Sequence, residues 1–153
     1  QLHLCILIDE WSTPEPEEMK RVGLCTGYLR RDVTNNSRMW VSVRTSTMVK
    51  PDISDPMICV SIGSGIAPFV AFARTRAAAA AAGEKVAPMR LYFGNRYKRK
   101  EFLYQEELEA LDRSSGWFTL RTAFSRDDPK RRLYVQHIIP EDAGDVTDIL
   151  IEH

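Results

Sequence analysis

The stretch Pro56–Phe69, PMICVSIGSGIAPF, decides the fold. Its first half, Met57 to Ile62, carries Ile58, Val60 and Ile62 with no charged residue, which suits a strand buried on both faces of a parallel sheet. Gly63, Ser64 and Gly65 then turn the chain, and a helix is predicted to begin near Pro68, where proline loses no hydrogen bond. Glycines let the backbone approach a phosphate closely, and the unpaired N–H groups of a helix start give that anion partners. An ordinary strand-to-helix connection would read the same way. GSGIAP also departs from the GxGxxG dinucleotide fingerprint, because Pro68 stands where the third glycine would be.

Downstream, Ile66 to Ala82 favours helix throughout, with six consecutive alanines at 77–82 on what reads as a plain surface, and Gly83 closes it. Arg90 to Phe93 is predicted as a second strand ending at Gly94. Glu101 to Leu111 reads as an amphipathic helix with Phe102, Leu103, Leu108 and Leu111 on its apolar side. Trp117 to Phe124 is a third strand, and Arg131–Ile139 and Asp145–Glu152 are two further helices. Strict alternation of strands and helices from residue 56 onward is the signature of a doubly wound parallel sheet with right-handed crossovers.

Upstream the pattern changes. Leu2, Leu4, Ile6 and Ile8 alternate as a strand does, and Asp9, Ser12, Pro14 and Pro16 end it in a loop. EPEEMKR is a solvated acidic connection, and Thr26 is predicted to cap a helical turn through Tyr28, Leu29 and Arg30. TNNSR is a turn, and Met39 to Ser46 alternates again as a strand. Pro51, Asp52 and Pro56 then place a domain boundary near residue 52.

Composition narrows the function. The 153 residues hold 21 basic and 21 acidic side chains, so the net charge is zero, which argues against a general nucleic-acid or membrane-surface binder. No apolar run approaches the length of a membrane span. Cys5, Cys25 and Cys59 are odd in number and share no CxxC spacing, so neither a disulfide framework nor a zinc site is expected, and a reducing, cytoplasmic compartment fits. The chain opens inside the alternation LHLCILI and stops after DILI, and is expected to be a piece of something longer.

Four segments carry a more specific signal: GLCTGYL at 23–29, ICVSIGSGIAPF at 58–69, LYFGNRYKRKEFLYQEEL at 91–108 and TAFSRDDPKRRLYVQH at 122–137. In this order and at this spacing they closely resemble the reductase half of the NADPH-dependent diflavin reductases, whose fold is similar to that of ferredoxin–NADP reductase. The resemblance implies an α/β chain with the last strands of an antiparallel FAD-binding β-barrel at 1–52. A Rossmann-like NADP-binding lobe at 53–153, truncated before its last strands, follows. It also implies an oxidoreductase in which NADPH passes a hydride to FAD, with electrons moving on through FMN, held in a separate domain of the parent protein, to a haemoprotein or another redox acceptor. The rival expectation is a non-catalytic nucleotide-binding module that keeps the fold without flavin.

For the site, a serine hydroxyl, two guanidinium groups and a phenol at Ser125, Arg126, Arg132 and Tyr134 are what a 2′-phosphate beside an adenine requires. A solvated basic loop is the alternative. The resemblance adds Gln136 as an amide contact, Arg96 as a secondary phosphate contact, and Ser64 in place of a common threonine beneath the pyrophosphate. Ile62 stands where proline is usual. Gly23, Leu24, Cys25 and Thr26 match the segment that holds the FAD pyrophosphate, for which a plain helix cap, or a reactive thiol at Cys25, is the alternative. His3 to Leu7 aligns with a flavin-lining strand and Trp11 with a tyrosine near the adenine. The family's ring-holding segments are expected before Gln1 and after His153, so no catalytic or metal-binding residue is assigned and the isolated chain is expected to be inactive.

Overall fold

The computed structural model describes residues 4–14 and 18–151. They form two compact units, Gln1–Val49 and Lys50–His153. In the first, β1 (Glu10–Ser12) pairs antiparallel with β2 (Lys20–Val22), Trp11 opposite Arg21. The Gly23 N–H donates to the Asp9 carbonyl at 2.7 Å and extends this ladder by one bond. Helix α1 (Leu24–Asp32) follows at once. It packs on β2 through a glycine: a Cβ on Gly27 would stand 2.8 Å from Val22 Cγ1.

Several expectations fail in this unit. Leu4 to Ile8 is irregular, while residues 1–3 and 15–17, with Pro16, lie outside the described residues. The strand lies instead at Glu10–Ser12, where a loop was expected, and Lys20–Val22 supplies its partner. Met39 to Ser46 is not a strand either, and Trp40 is wholly exposed. Period-two alternation makes a strand only where a neighbour completes the hydrogen bonds, and none does so for these stretches among the described residues. Thr26 caps nothing, since α1 starts two residues earlier and its N-cap is Gly23. The turn in TNNSR is present, closed by Ser37 N–H to the Thr34 carbonyl at 3.0 Å.

The second unit is the expected α/β lobe, ferredoxin–NADP reductase-like. Strands β3 (Met57–Ile62), β4 (Met89–Asn95) and β5 (Phe118–Phe124) form a parallel sheet in the order β3-β4-β5, with Ile62 opposite Gly94 and Gly94 opposite Ala123. A 3-10 turn at Gly63–Ile66 leads into α2 (Ala67–Ala81). One face of the sheet buries Cys59, Leu91, Phe93 and Phe118 with Ile66, Val70 and Ala73 of the turn and α2, and with Leu108 of α4 (Gln105–Ser114). The other buries Tyr92 and Ala123 under Val135 and Ile138 of α5 (Val135–Ile138). Helices on both faces make the sheet doubly wound.

Burial on β3 differs from expectation: Cys59 and Ser61 are its buried residues, while Val60 and Ile62 are 46% and 70% exposed. β3 is an edge strand, and only Ile58 on that face reaches the second core cluster. The helix expected at 101–111 is two: α3 (Lys98–Glu101) and α4, with Tyr104 between them in left-handed backbone, φ 56°. The break lets Phe102 drop onto Phe93 and Phe124, with ring centroids 5.6 and 5.4 Å away. The helix expected from Arg131 begins only at Val135, as α5 (Val135–Ile138). A 3-10 turn at Ile139–Asp142 and α6 (Ala143–Ile151) follow. Nor is the alanine-rich helix plain surface, because Arg76 at its centre is 1% exposed.

Candidate functional site at the carboxyl edge of the sheet

Open α/β sheets bind ligands at the carboxyl ends of their strands, and three loops meet that edge here. After β3, Gly63 takes φ +55°, which a Cβ would strain, and nothing lies within 4 Å of where a Cβ on Gly63 or Gly65 would sit. The backbone of the turn is thus open to a close approach. Ser64 is exposed, Pro68 occupies the first turn of α2, and that turn holds no acidic residue to compete with an anion.

After β4 and β5 the parallel pairing runs past the strands: Ser125 N–H donates to the Asn95 carbonyl at 3.0 Å and Arg126 N–H to the Arg96 carbonyl at 2.8 Å. Ser125, Arg126 and Arg96 are therefore neighbours by backbone pairing, whatever their side chains do. The Lys98 N–H donates to both carboxylate oxygens of Asp127, at 3.2 and 3.3 Å, and ties the two loops a second time. Arg126 and Arg132 are exposed and form no ion pair among the described residues.

Arg96 is different. Its Nη2 donates to Glu101 Oε1 at 2.6 Å and its Nε to Oε2 at 3.2 Å. The same Glu101 oxygen Oε2 accepts the backbone N–H groups of Arg96 and Tyr97, at 3.2 and 3.3 Å. Partial burial opposes ionisation of Glu101, but the Arg96 hydrogen bond and charge and the two backbone donors outweigh it and hold the carboxyl below its usual range. The Arg96 guanidinium is raised in turn, chiefly by its hydrogen bond to Glu101.

Tyr134 and Gln136 arrive at this edge with α5, because Gly94 lets α5 approach β4: a Cβ there would stand 3.1 Å from Val135 Cγ1. Tyr134 is partly exposed, its ring edge-on to His137 at 5.6 Å, and Gln136 is exposed. Gly23, Leu24, Cys25 and Thr26 belong to the other unit, at the start of α1. That start has no side-chain cap and no acidic residue in its first turn, and Leu24 and Cys25 are exposed. Its N–H groups are thus available to an anion.

Three residues of this edge escaped the sequence reading: Asn95, Glu101 and Asp127. Asn95 Nδ2 donates to the Glu101 carbonyl at 2.8 Å while its Oδ1 accepts the Arg96 N–H at 2.9 Å, so Asn95 and Glu101 close the 95–101 loop from its two ends. The five-residue separation of Arg96 and Glu101 matches neither helix nor strand periodicity, and nothing in it advertises a pair. Among the described residues no group of side chains could hold a metal ion, and no helix is long and apolar enough to cross a membrane.

Residues 57–151 match the oxidoreductase NAD-binding domain family. The chain is 40% identical over 151 residues to the mitochondrial pyruvate dehydrogenase [NADP(+)] of Euglena gracilis, covering 99% of this chain and 8% of that protein. It is 45% identical over 112 residues to NADPH–cytochrome P-450 reductase of Aspergillus oryzae, covering 72% of this chain and 16% of the relative. It is 32% identical over 155 residues to the sulfite reductase [NADPH] flavoprotein component of Saccharomyces cerevisiae, covering 100% and 14%. The chain thus spans less than a fifth of each of these three proteins. With the parallel lobe, the open glycine turn and these relatives together, the chain belongs to the oxidoreductase NAD-binding domain family, among the diflavin reductases that its sequence resembles.

Proposed function

We propose that the carboxyl edge of the lobe binds NADPH by its adenosine end. Ser125, Arg126 and Arg132 hold the 2′-phosphate, Tyr134 and Gln136 contact the adenine side, Arg96 adds a phosphate contact, and the pyrophosphate lies over Gly63–Gly65 with Ser64. The observation that carries this reading is the backbone pairing of Ser125 and Arg126 with Asn95 and Arg96. It gathers hydroxyl and guanidinium donors at the strand ends, beside a glycine turn open to a close approach.

Gly23, Leu24, Cys25 and Thr26 hold the FAD pyrophosphate at the start of α1. When bound, the cofactors supply the hydride chemistry from NADPH to FAD, while this chain's residues bind and orient them. In the full-length protein electrons then pass through FMN to a redox protein. Free Cys5, Cys25 and Cys59 support a reducing, cytoplasmic compartment.

The test is calorimetry. 2′,5′-ADP is expected to bind about 100-fold more tightly than 5′-AMP, because only the former engages the charge-assisted donors. Arg126→Ala should remove most of that difference, and equal affinities for the two nucleotides would refute the assignment.

A further inference from the structure

Arg96 sits at the end of the middle strand, between the glycine turn after β3 and the Ser125–Arg126 pair after β5. Neighbouring strands lie about 4.8 Å apart. A side chain leaving β4 is therefore within reach of a ligand whose phosphates rest on the two flanking loops. A free arginine there would sample many rotamers, yet this one is held at Nε and Nη2 by the two oxygens of Glu101. Such a fork fixes the plane of the guanidinium and leaves Nη1 on the outer edge. The same carboxylate secures the backbone N–H groups of Arg96 and Tyr97, and Asn95 braces the loop from the other side. The Glu101 side chain is only 20% exposed, against 51% for Arg96, so the buried partner is the carboxylate and the accessible one the guanidinium.

We propose that Glu101 is a positioning residue for nucleotide binding: it acts through Arg96, whose outer edge it aims at the phosphates between the glycine turn and Ser125. This rests on the nucleotide reading above. The carboxylate also brings negative charge near a phosphate, which opposes binding. That repulsion crosses solvent and is screened, whereas the fork is direct and pre-forms the donor, so positioning dominates.

The experiment is 2′,5′-ADP calorimetry on the whole 153-residue chain, with Glu101→Gln, Arg96→Ala, Arg96→Lys and the double variant Glu101→Gln/Arg96→Ala. Glu101→Gln should weaken binding about tenfold, the scale of one lost charge-assisted contact. Arg96→Lys should lose as much, because an ammonium cannot form the planar fork. In the Arg96→Ala background Glu101→Gln should cost nothing more. A Glu101→Gln loss of equal size in that background would show a merely structural role and overturn the proposal. Unchanged or tighter binding by the single variant would overturn it too, in the latter case by showing that the carboxylate masks Arg96. If the wild-type chain prefers 2′,5′-ADP and Arg126→Ala abolishes that preference, these results judge Glu101 alone. No wild-type preference would instead sink the nucleotide reading and the Glu101 assignment with it.

Discussion

Arg76 Nη2 donates to the Asp55 carbonyl oxygen at 2.7 Å, so a buried side chain of α2 grips the loop that delivers the chain into β3. The same guanidinium binds the carbonyls of Asp52, Ile53 and Ala87. Burial lowers its pKa, opposed by the nearby Cys59, Asp55 and Asp52. Its partners are backbone carbonyls rather than a carboxylate, so the charge is solvated by dipoles. Arg76→Leu keeps the bulk but strands those carbonyls and should cost about 3 kcal/mol in urea unfolding. Arg76→Lys should recover only part of this, because one ammonium cannot serve carbonyls spread over such an arc.

Asp142 fastens the 3-10 turn before α6 to the sheet. Its Oδ2 accepts Tyr92 Oη at 3.0 Å and lies 3.0 Å from Arg121 Nε and 3.3 Å from Arg90 Nη1. Asp142→Asn removes the charge that the largely buried Arg90 and the more exposed Arg121 both face, and should cost roughly 2 kcal/mol. Hydrogen exchange should quicken first in α6, with the amides of β4 little changed.

Gly94 is where β4 and α5 approach closely. Gly94→Ala would place a methyl 3.1 Å from Val135 Cγ1 and should destabilise the lobe by about 1 kcal/mol. Val135→Ala, itself costly as a core truncation, should cost less in the Gly94→Ala background than alone. A double-mutant cycle of thermal unfolding measures the coupling, and simple additivity would show that the two residues do not meet.

The Arg96–Glu101 contact should be acid-sensitive. Glu101 has a folded pKa below its ordinary value, so its stabilisation is full above the ordinary glutamate range and is lost as pH falls through the depressed value. Wild type and Glu101→Gln should therefore differ in stability at neutral pH and converge in acid. A difference independent of pH would contradict the ion pair.

Cysteine labelling distinguishes the thiols. Cys59 is 1% exposed and burial pushes its pKa up to about 12, although Arg76 pulls it down, whereas Cys25 is exposed. A maleimide at pH 8 should modify Cys25 rapidly and Cys59 only after denaturation. Bound FAD should slow the Cys25 reaction if that residue lines the flavin pyrophosphate.

By itself the sequence determined β3, the glycine turn, α2, β4 and β5, because each rests on short-range rules: an apolar run, glycines at a sharp turn, proline at a first helical turn, and helix formers closed by Gly83. It also placed Ser125 and Arg126 at the carboxyl edge, since they directly follow a strand of a parallel sheet. Only the tertiary structure decided which stretches before residue 50 found a strand partner, since a ladder needs a second chain segment that periodicity does not name. It decided that the helix expected from 101 breaks at Tyr104, where seating Phe102 between Phe93 and Phe124 outweighs the strain of a left-handed tyrosine. It decided as well that Val60 and Ile62 stay exposed on an edge strand, that Arg76 is buried among carbonyls and that Arg96 is clasped by Glu101. Burial and pairing are properties of what lies across space, and neighbours in space are set by the packing of the whole lobe rather than by local order in the chain.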